Sequence, residues 1–234
     1  MPNYSRYIEY TNLTSPKSKD IKNLIEVANK NNYAGVCLQP CSLRVADKYR
    51  KPDLKLITIA GFPPIHTFHL FTEQNKKFQL VLGLYKNQDI TEMKNLLDSK
   101  YVDELDIVFP FYWYVSGKFV KIHKFLKGLK NYTPKPIKVI IELGTIFKKD
   151  VPLFEIIDLL KQANIDYLKT NTGLIKQDFD KRLYPAILSL KALLSDLSVD
   201  IKLKASGGIK TDDHVKKLVR LGINRIGTSS TITF

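Results

Sequence analysis

Two lysines sit inside short apolar runs where a charged side chain is out of place. Lys169 lies in Tyr167-Leu-Lys-Thr-Asn171, and Lys204 lies in Ile201-Lys-Leu-Lys-Ala205. An amine enclosed by apolar walls is costly to keep charged, because desolvation and a second ammonium nearby both lower its pKa. The neutral amine is the form that attacks a carbonyl to give a Schiff base. One lysine then serves as nucleophile and the other as the cation that tunes it. Asp106 in Glu104-Leu-Asp-Ile-Val-Phe109 and Glu142 in Lys138-Val-Ile-Ile-Glu-Leu143 are candidates to move protons or balance charge. A second signal is the pair of segments Ala205-Ser-Gly-Gly208 and Ile226-Gly-Thr-Ser-Ser230. Glycine lets a backbone approach closely, and freed N–H groups with serine hydroxyls cradle a phosphate. The polar stretch Lys169-Thr-Asn-Thr-Gly173 offers further N–H groups.

These residues need strands to position them. Apolar runs read as strands at Arg6 to Thr11, Gly35 to Gln39, Lys55 to Ala60, Glu104 to Phe109, Lys138 to Leu143, Tyr167 to Asn171, Ile201 to Ala205 and Arg225 to Gly227. Between them, Asp20 to Asn31, Val151 to Ala163 (with Phe154, Ile157, Leu160 and Ala163 on its apolar stripe), Leu183 to Leu194 and Asp212 to Leu221 carry helical spacing. Eight strands separated by helices imply right-handed βαβ units and a parallel sheet, and the count fits closure into a (β/α)8 TIM barrel. An open doubly wound sheet is the alternative, but no Gly-x-Gly-x-x-Gly follows the first strand. Alternation along barrel strands turns Leu105, Ile107, Phe109, Val139, Ile141, Leu143, Leu168, Ile201, Leu203 and Ala205 toward helices. Asp106, Glu142, Lys169, Lys202 and Lys204 then point inward, near the strand ends where active sites of this fold form. The loops after strands seven and eight are also its common phosphate site.

The rest of the chain reads plainly. Its 234 residues suit one barrel domain spanning 1–234. No apolar run reaches the 18 residues of a membrane span, and Met1 to Tyr10 lacks a signal-peptide pattern, so a cytoplasmic protein without membrane contact is expected. Cys37 and Cys41 have no further Cys/His cluster to complete a metal site, and both are expected reduced. His66, His69, His123 and His214 read as surface or loop residues, the cluster Phe111, Tyr112, Trp113 and Tyr114 as packing or a pocket wall, and Thr72 to Asn87 as a packed helix. The net charge of +14 comes from scattered lysines without an Arg-rich arm, so nucleic acid is not expected as a partner. The positive field suits a phosphorylated substrate.

Several motifs together resemble deoxyribose-phosphate aldolases, over nearly the whole chain and in the same order. Tyr167-Leu-Lys-Thr-Asn-Thr-Gly173 resembles their K-T-S-T-G segment, and Lys204-Ala-Ser-Gly-Gly-Ile-Lys-Thr211 resembles K-A-S-G-G-I-R-T. Glu104-Leu-Asp-Ile-Val108 is similar to E-x-D-x-V, Lys138-Val-Ile-Ile-Glu142 to K-V-I-I-E, and Ile8-Glu-Tyr-Thr11 to I-D-H-T. Gly35 to Pro40 and Ile226 to Ser230 resemble the second and the last strand. The resemblance implies Lys169 as the Schiff-base lysine, Lys204 as its tuning neighbour and Asp106 as proton relay. It implies that Gly207, Gly208, Gly227, Ser229 and Ser230 hold a sugar 5-phosphate, with Gly173 in the same loop set. Thr11, Cys37 and Thr170 would line the pocket. The implied substrate is the phosphorylated sugar 2-deoxy-D-ribose 5-phosphate, cleaved without metal or organic cofactor, and a homo-oligomer is allowed. A transaldolase-like barrel, or an impaired barrel binding nucleic acid, are the competing readings.

The chain departs from the pattern at Glu9, where Asp is usual, at Asn171 for Ser, and at Leu174, which is Lys in some members. The stretch from Gly61 to Asp106 is longer than usual, with extra helical residues expected around Phe71 to Lys94. The chain stops at Phe234, soon after the last strand. The eighth outer helix is therefore expected to be short or missing, its place covered by another element or a partner subunit, and activity to be lower than in longer relatives.

Overall fold

A computed structural model describes residues 3–14, 17–62, 90–146, 151–175 and 177–234. The expected helix Thr72 to Asn87, His66 and His69 lie outside them. Eight parallel strands close in sequential order into a barrel: β1 (Ile8–Asn12), β2 (Gly35–Leu38), β3 (Lys55–Ala60), β4 (Glu104–Val108), β5 (Ile137–Ile140), β6 (Tyr167–Lys169), β7 (Lys202–Ser206) and β8 (Arg225–Thr228). Around them run α1 (Ser18–Lys30), α2 (Leu43–Asp47), α3 (Ile90–Asp98), α4 (Phe111–Val115), α5 (Phe119–Tyr132), α6 (Leu143–Ile146), α7 (Leu153–Gln162), α8 (Tyr184–Asp196) and α9 (Asp212–Arg220). The expected strands and helices recur with ends shifted by a few residues. β5 stops at Ile140 because Glu142 takes a left-handed backbone, φ 49°, which an extended strand does not allow.

The main core lies between sheet and helices, where Leu105, Ile107, Phe109, Val139, Ile141, Leu168, Leu203 and Ala205 are buried as alternation requires. Phe154 is a correction: it faces solvent at 54% exposure, while its neighbours Leu153, Ile156 and Ile157 carry the buried stripe of α7. The aromatic cluster is packing. Phe111, Trp113 and Tyr114 are buried, with Trp113 edge-on to Phe125 at 5.3 Å and Phe111 to Phe109 at 5.0 Å.

Three polar residues, each just before an even-numbered strand, tie the N-terminal end of the barrel. Asp103 accepts from the Leu56 N–H (2.8 Å), Asp166 from Ile137 (2.9 Å) and Asn224 from Leu203 (2.8 Å), in each case reaching the preceding strand. Backbone donors at the strand starts are thereby satisfied where the ladder has not begun.

Residues 229–234, after β8, form no helix. They fold back instead. Ile232 is buried, and the Tyr33 hydroxyl both donates to its carbonyl (2.8 Å) and accepts from its N–H (3.0 Å). Tyr10 Oη lies 2.9 Å from Thr231 Oγ1, and Tyr4 stacks near Phe234. The strand-eight side is covered from within the chain.

Candidate active site

Parallel pairing of β6 with β7 sets Lys169 beside Lys204 in register. Both side chains turn into the barrel and are buried. Asp106 reaches them from β4: its Oδ2 accepts from Lys169 Nζ at 2.8 Å and from Lys204 Nζ at 2.6 Å. One carboxylate oxygen thus bridges the two amines. Three further charges join this centre. Lys204 also bonds Glu9 of β1, and Lys138 of β5 bonds Glu104 while lying 3.3 Å from Asp106 Oδ1 and 3.5 Å from Glu9 Oε1. Three lysines and three carboxylates therefore share the interior. Arg225, partly exposed, approaches Glu9 at 3.7 Å.

For Asp106, Lys204, Lys138 and Glu9 burial opposes the charge and neighbouring charges outweigh it. For Asp106, burial alone raises the pKa, yet Lys169, Lys204 and Lys138 outweigh it and hold the carboxyl well below its usual range. Burial likewise works against the Lys204 ammonium, but Asp106 and Glu9 hold its pKa above the ordinary lysine value. Its charged form is therefore favoured. Lys138 is raised and Glu9 lowered in the same way, by each other's charge and those of the cluster against burial. Glu142 differs: burial raises its pKa, and its hydrogen bonds with Thr172 only partly offset this.

Beyond the ends of β5 to β7, hydrogen bonds lock the loops beside the amine-bearing end of β6. Glu142 accepts from the Thr172 N–H, and Leu143 N–H donates to the Thr170 carbonyl at 2.7 Å. The Thr170 hydroxyl donates to the Ser206 carbonyl (3.0 Å) and accepts from Ser206 N–H (2.9 Å). Asn171 Nδ2 donates to the same carbonyl at 2.8 Å, while Ser206 Oγ donates to the Asn171 carbonyl. Asn171, one of the departures noted above, uses its extra donor to join the β6 and β7 loops.

Above the charges opens a cavity of about 450 Å³. Lys169, Thr11, Gly173, Gly207, Gly208, Gly227 and Ser229 line it, as does Leu174. Gly207 and Gly208 adopt φ of 104° and 71°, and a Cβ on Gly208 would collide with the Gln177 carbonyl. Gly227 leaves room for Lys204, whose Cε would stand 3.3 Å from a Cβ there. Three expected pocket residues are not on this wall. Thr170 spends its hydroxyl on Ser206; Cys37 is sealed beneath, its Sγ 3.8 Å from Asp106 Oδ2, with the thiol pushed up to about 11 by burial and by the Asp106 charge; Ser230 lies beyond the rim, its N–H bonded to Thr228 Oγ1. Lys202 is on the inward side of β7 but at its exposed N-terminal end, near the Tyr167 ring.

Sequence reasoning did not include Lys138 and Glu104 in the ionic centre, and it gave Glu9 no lysine partner. All three occupy inward positions of strands already identified, so alternation was the available signal. It also read His214 as bland. That residue stacks on Phe179 at 3.9 Å, and its Nδ1 accepts from the Lys210 N–H at 3.3 Å, supporting the β7 loop.

A primary amine enclosed with a bridging carboxylate and a second lysine whose neighbours favour its charged form, at the C-terminal mouth of a (β/α)8 barrel, is the equipment of a lysine-dependent, class I aldolase. Relatives agree over nearly their full length. The chain is 31% identical to the deoxyribose-phosphate aldolase of Ureaplasma parvum serovar 3, over 99% of this chain and 97% of that protein. It is 29% identical to that of Caldicellulosiruptor saccharolyticus, over 97% and 94%. The chain belongs to the deoxyribose-phosphate aldolase family. No family model matches it. Among solved structures, the deoxyribose phosphate aldolase of Aeropyrum pernix superposes with a TM-score of 0.69 at 25% identity, covering 97% of this chain and 87% of that one. An aldolase described as QR15 reaches 0.74 at 24% identity, over 99% and 93%, a likeness of fold. These relatives favour neither the transaldolase-like nor the nucleic-acid-binding reading. Among the described residues, no helix is long and apolar enough to cross a membrane.

Proposed function

We propose that this protein reversibly cleaves 2-deoxy-D-ribose 5-phosphate into D-glyceraldehyde 3-phosphate and acetaldehyde, with Lys169 as the Schiff-base lysine. The observation that carries the reading is the bridge of Asp106 Oδ2 between the Lys169 and Lys204 amines at 2.8 and 2.6 Å, beneath a cavity walled by Gly207, Gly208, Gly227 and Ser229.

The Lys169 amine must shed a proton before it attacks the C1 aldehyde, and Asp106 is the acceptor in contact with it. Lys169 is the strongest of the three cations that keep Asp106 acidic. When that nitrogen becomes the neutral carbinolamine, Asp106 regains basicity and can carry the proton, directly or through water, to the departing hydroxyl. Loss of water leaves a protonated imine. The C2–C3 electron pair then moves into it, the C3 hydroxyl gives up its proton to a base, and D-glyceraldehyde 3-phosphate departs. Protonation of the enamine at C2 and hydrolysis release acetaldehyde and restore the amine. The imine is the electron sink, so the steps run on the chain's own residues. Lys204, held cationic by Asp106 and Glu9, favours the return of Asp106 to its anionic form after each proton transfer. The glycine backbones and Ser229, with Lys210 on the wall and Ser230 next in the chain just beyond it, would receive the 5-phosphate. Residues 1–234 are read as one barrel domain acting in the cytoplasm. The Aeropyrum pernix enzyme is described as a tetramer, which supports self-association here as well.

Borohydride reduction in the presence of acetaldehyde tests the assignment. The expected adduct maps to the peptide carrying Lys169, and Lys169→Leu abolishes both labelling and turnover while the far-ultraviolet circular dichroism stays native. An adduct on Lys204 or Lys138 instead would overturn it.

A further inference from the structure

The loop after β7 brings Lys210 to the cavity wall, and a histidine behind that wall holds it there. The Lys210 N–H donates to His214 Nδ1 at 3.3 Å. His214 stands in the first turn of α9, where its own N–H donates to Thr211 Oγ1 at 3.2 Å. Its ring stacks on Phe179 at 3.9 Å with the planes 11° apart, which fixes the direction of both ring nitrogens. The residues just before Lys210 are pinned as well. Thr228 Oγ1 donates to the Ile209 carbonyl at 2.7 Å, and Gly208 packs against the Gln177 carbonyl.

A ring nitrogen that accepts a hydrogen bond carries no proton. The neutral imidazole then has its proton on Nε2, which faces Asp180 Oδ2 at 3.7 Å. A proton added to Nδ1 sets two donors against each other, and the bond to Lys210 is lost. The new charge is met by Asp180, on the far side of the ring from the loop. Charges around the ring divide. Asp180 and Asp178, from the turn Phe179–Leu183 and the residue before it, favour the charged form, as does Asp213 of α9. Burial opposes it, and so does Lys217 of α9, itself paired with Asp180 at 2.8 Å. Burial is the largest of these influences, and the imidazole is held below its ordinary value of 6.5.

We infer that His214 is a pH-sensitive positioning residue for the phosphate end of the site: with Nδ1 bare it holds the Lys210 backbone in the cavity wall, and a proton taken up there releases it. The inference rests on the phosphate placement proposed above. Inorganic phosphate titrated into the full chain, from about pH 8 down to about pH 5 and followed by the amide resonances of Gly207 to Lys210, tests it. Binding to the native chain should weaken on acidification more than binding to His214→Asn, whose side-chain oxygen keeps an acceptor that does not titrate. Comparison at equal pH removes the titration of phosphate itself. His214→Ala, without the acceptor, should bind ~5-fold more weakly than the native chain at about pH 8, the worth of one hydrogen bond. The same ratio should appear in KM rather than kcat for 2-deoxy-D-ribose 5-phosphate, and be absent for unphosphorylated 2-deoxy-D-ribose. Native chain and His214→Asn weakening in parallel, or His214→Ala binding as the native chain does, overturns the inference. Phosphate that leaves the Gly207 to Lys210 amides undisturbed overturns it together with the phosphate placement. The acetaldehyde adduct on Lys169 involves no phosphate, so its absence would count against the aldol reading alone.

Discussion

The inner wall of the barrel has two unlike arcs. On β2 and β3, Cys37, Ile57 and Ile59 form a small apolar cluster with Leu13, separate from the main core. On β1 and β4 to β7, the inward positions hold Glu9, Glu104, Asp106, Lys138, Lys169 and Lys204, all buried. The apolar arc lowers the free energy of the fold simply by leaving water. The ionic arc does not: desolvation of six charges is recovered only through mutual pairing, and a hydrophobic replacement of matching shape would serve stability as well or better. A cluster retained at such a cost is explained by chemistry, because it holds in contact one amine, one bridging carboxylate and one lysine favoured in its charged form.

The contrast predicts different failures on the two sides. Lys138→Met should have the largest effect on stability. It leaves Glu9, Glu104 and Asp106 with too few cations, and urea denaturation should show a loss of ~3–5 kcal/mol. A loss below ~1 kcal/mol, the worth of an exposed pair, would erase the distinction between the arcs. On the apolar arc, Ile57→Ala should cost ~2–4 kcal/mol through the cavity it leaves, with turnover of the folded enzyme close to native. A collapse in turnover at full folding would show that this arc too takes part in the reaction.

pH separates Glu142 from the carboxylates of the cluster. Burial raises the Glu142 pKa above 4.5, so its contribution to stability is fully present below that value and lost as the pH rises through the folded pKa. Glu142→Gln should therefore gain stability relative to the native chain as the pH climbs from the acid side. Glu9, whose pKa is lowered, has the opposite sign: its contribution is present above 4.5 and lost on acidification through the folded value. Glu9→Gln should fall behind the native chain as the pH rises. Melting curves of the three proteins across the acid range check both signs, and parallel curves would refute them.

The smallest expected effect concerns thiols. Cys37 is buried in the apolar arc against Asp106, its pKa pushed up to about 11, whereas Cys41 is exposed. At mildly alkaline pH a thiol reagent should modify one cysteine in the native protein and two in denaturant. Rapid labelling of both would mean that the apolar arc opens readily.

The strands and the inward direction of Asp106, Lys169 and Lys204 were legible because a strand alternates with period two, whatever surrounds it. Phe154 was misplaced because helical spacing gives a stripe but not its centre; a rotation of one position exchanges Phe154 for Ile156 and Leu153. Thr170 and Cys37 were assigned to the pocket because the motif names residues, not the hydrogen bond or the depth that removes them from the wall.

By itself the sequence determined the order of the strands, the adjacency of Lys169 and Lys204, and the glycine loops beside them, since these follow from local periodicity and from consecutive strands pairing. Only closure of the barrel decided that Lys204 would meet Glu9, 195 positions away, and that Lys138 would reach the same carboxylate across the interior. The physical reason is that a buried charge is defined by what stands opposite it. Across a barrel interior those partners come from strands that have no contact in the chain until the first and the last of them join.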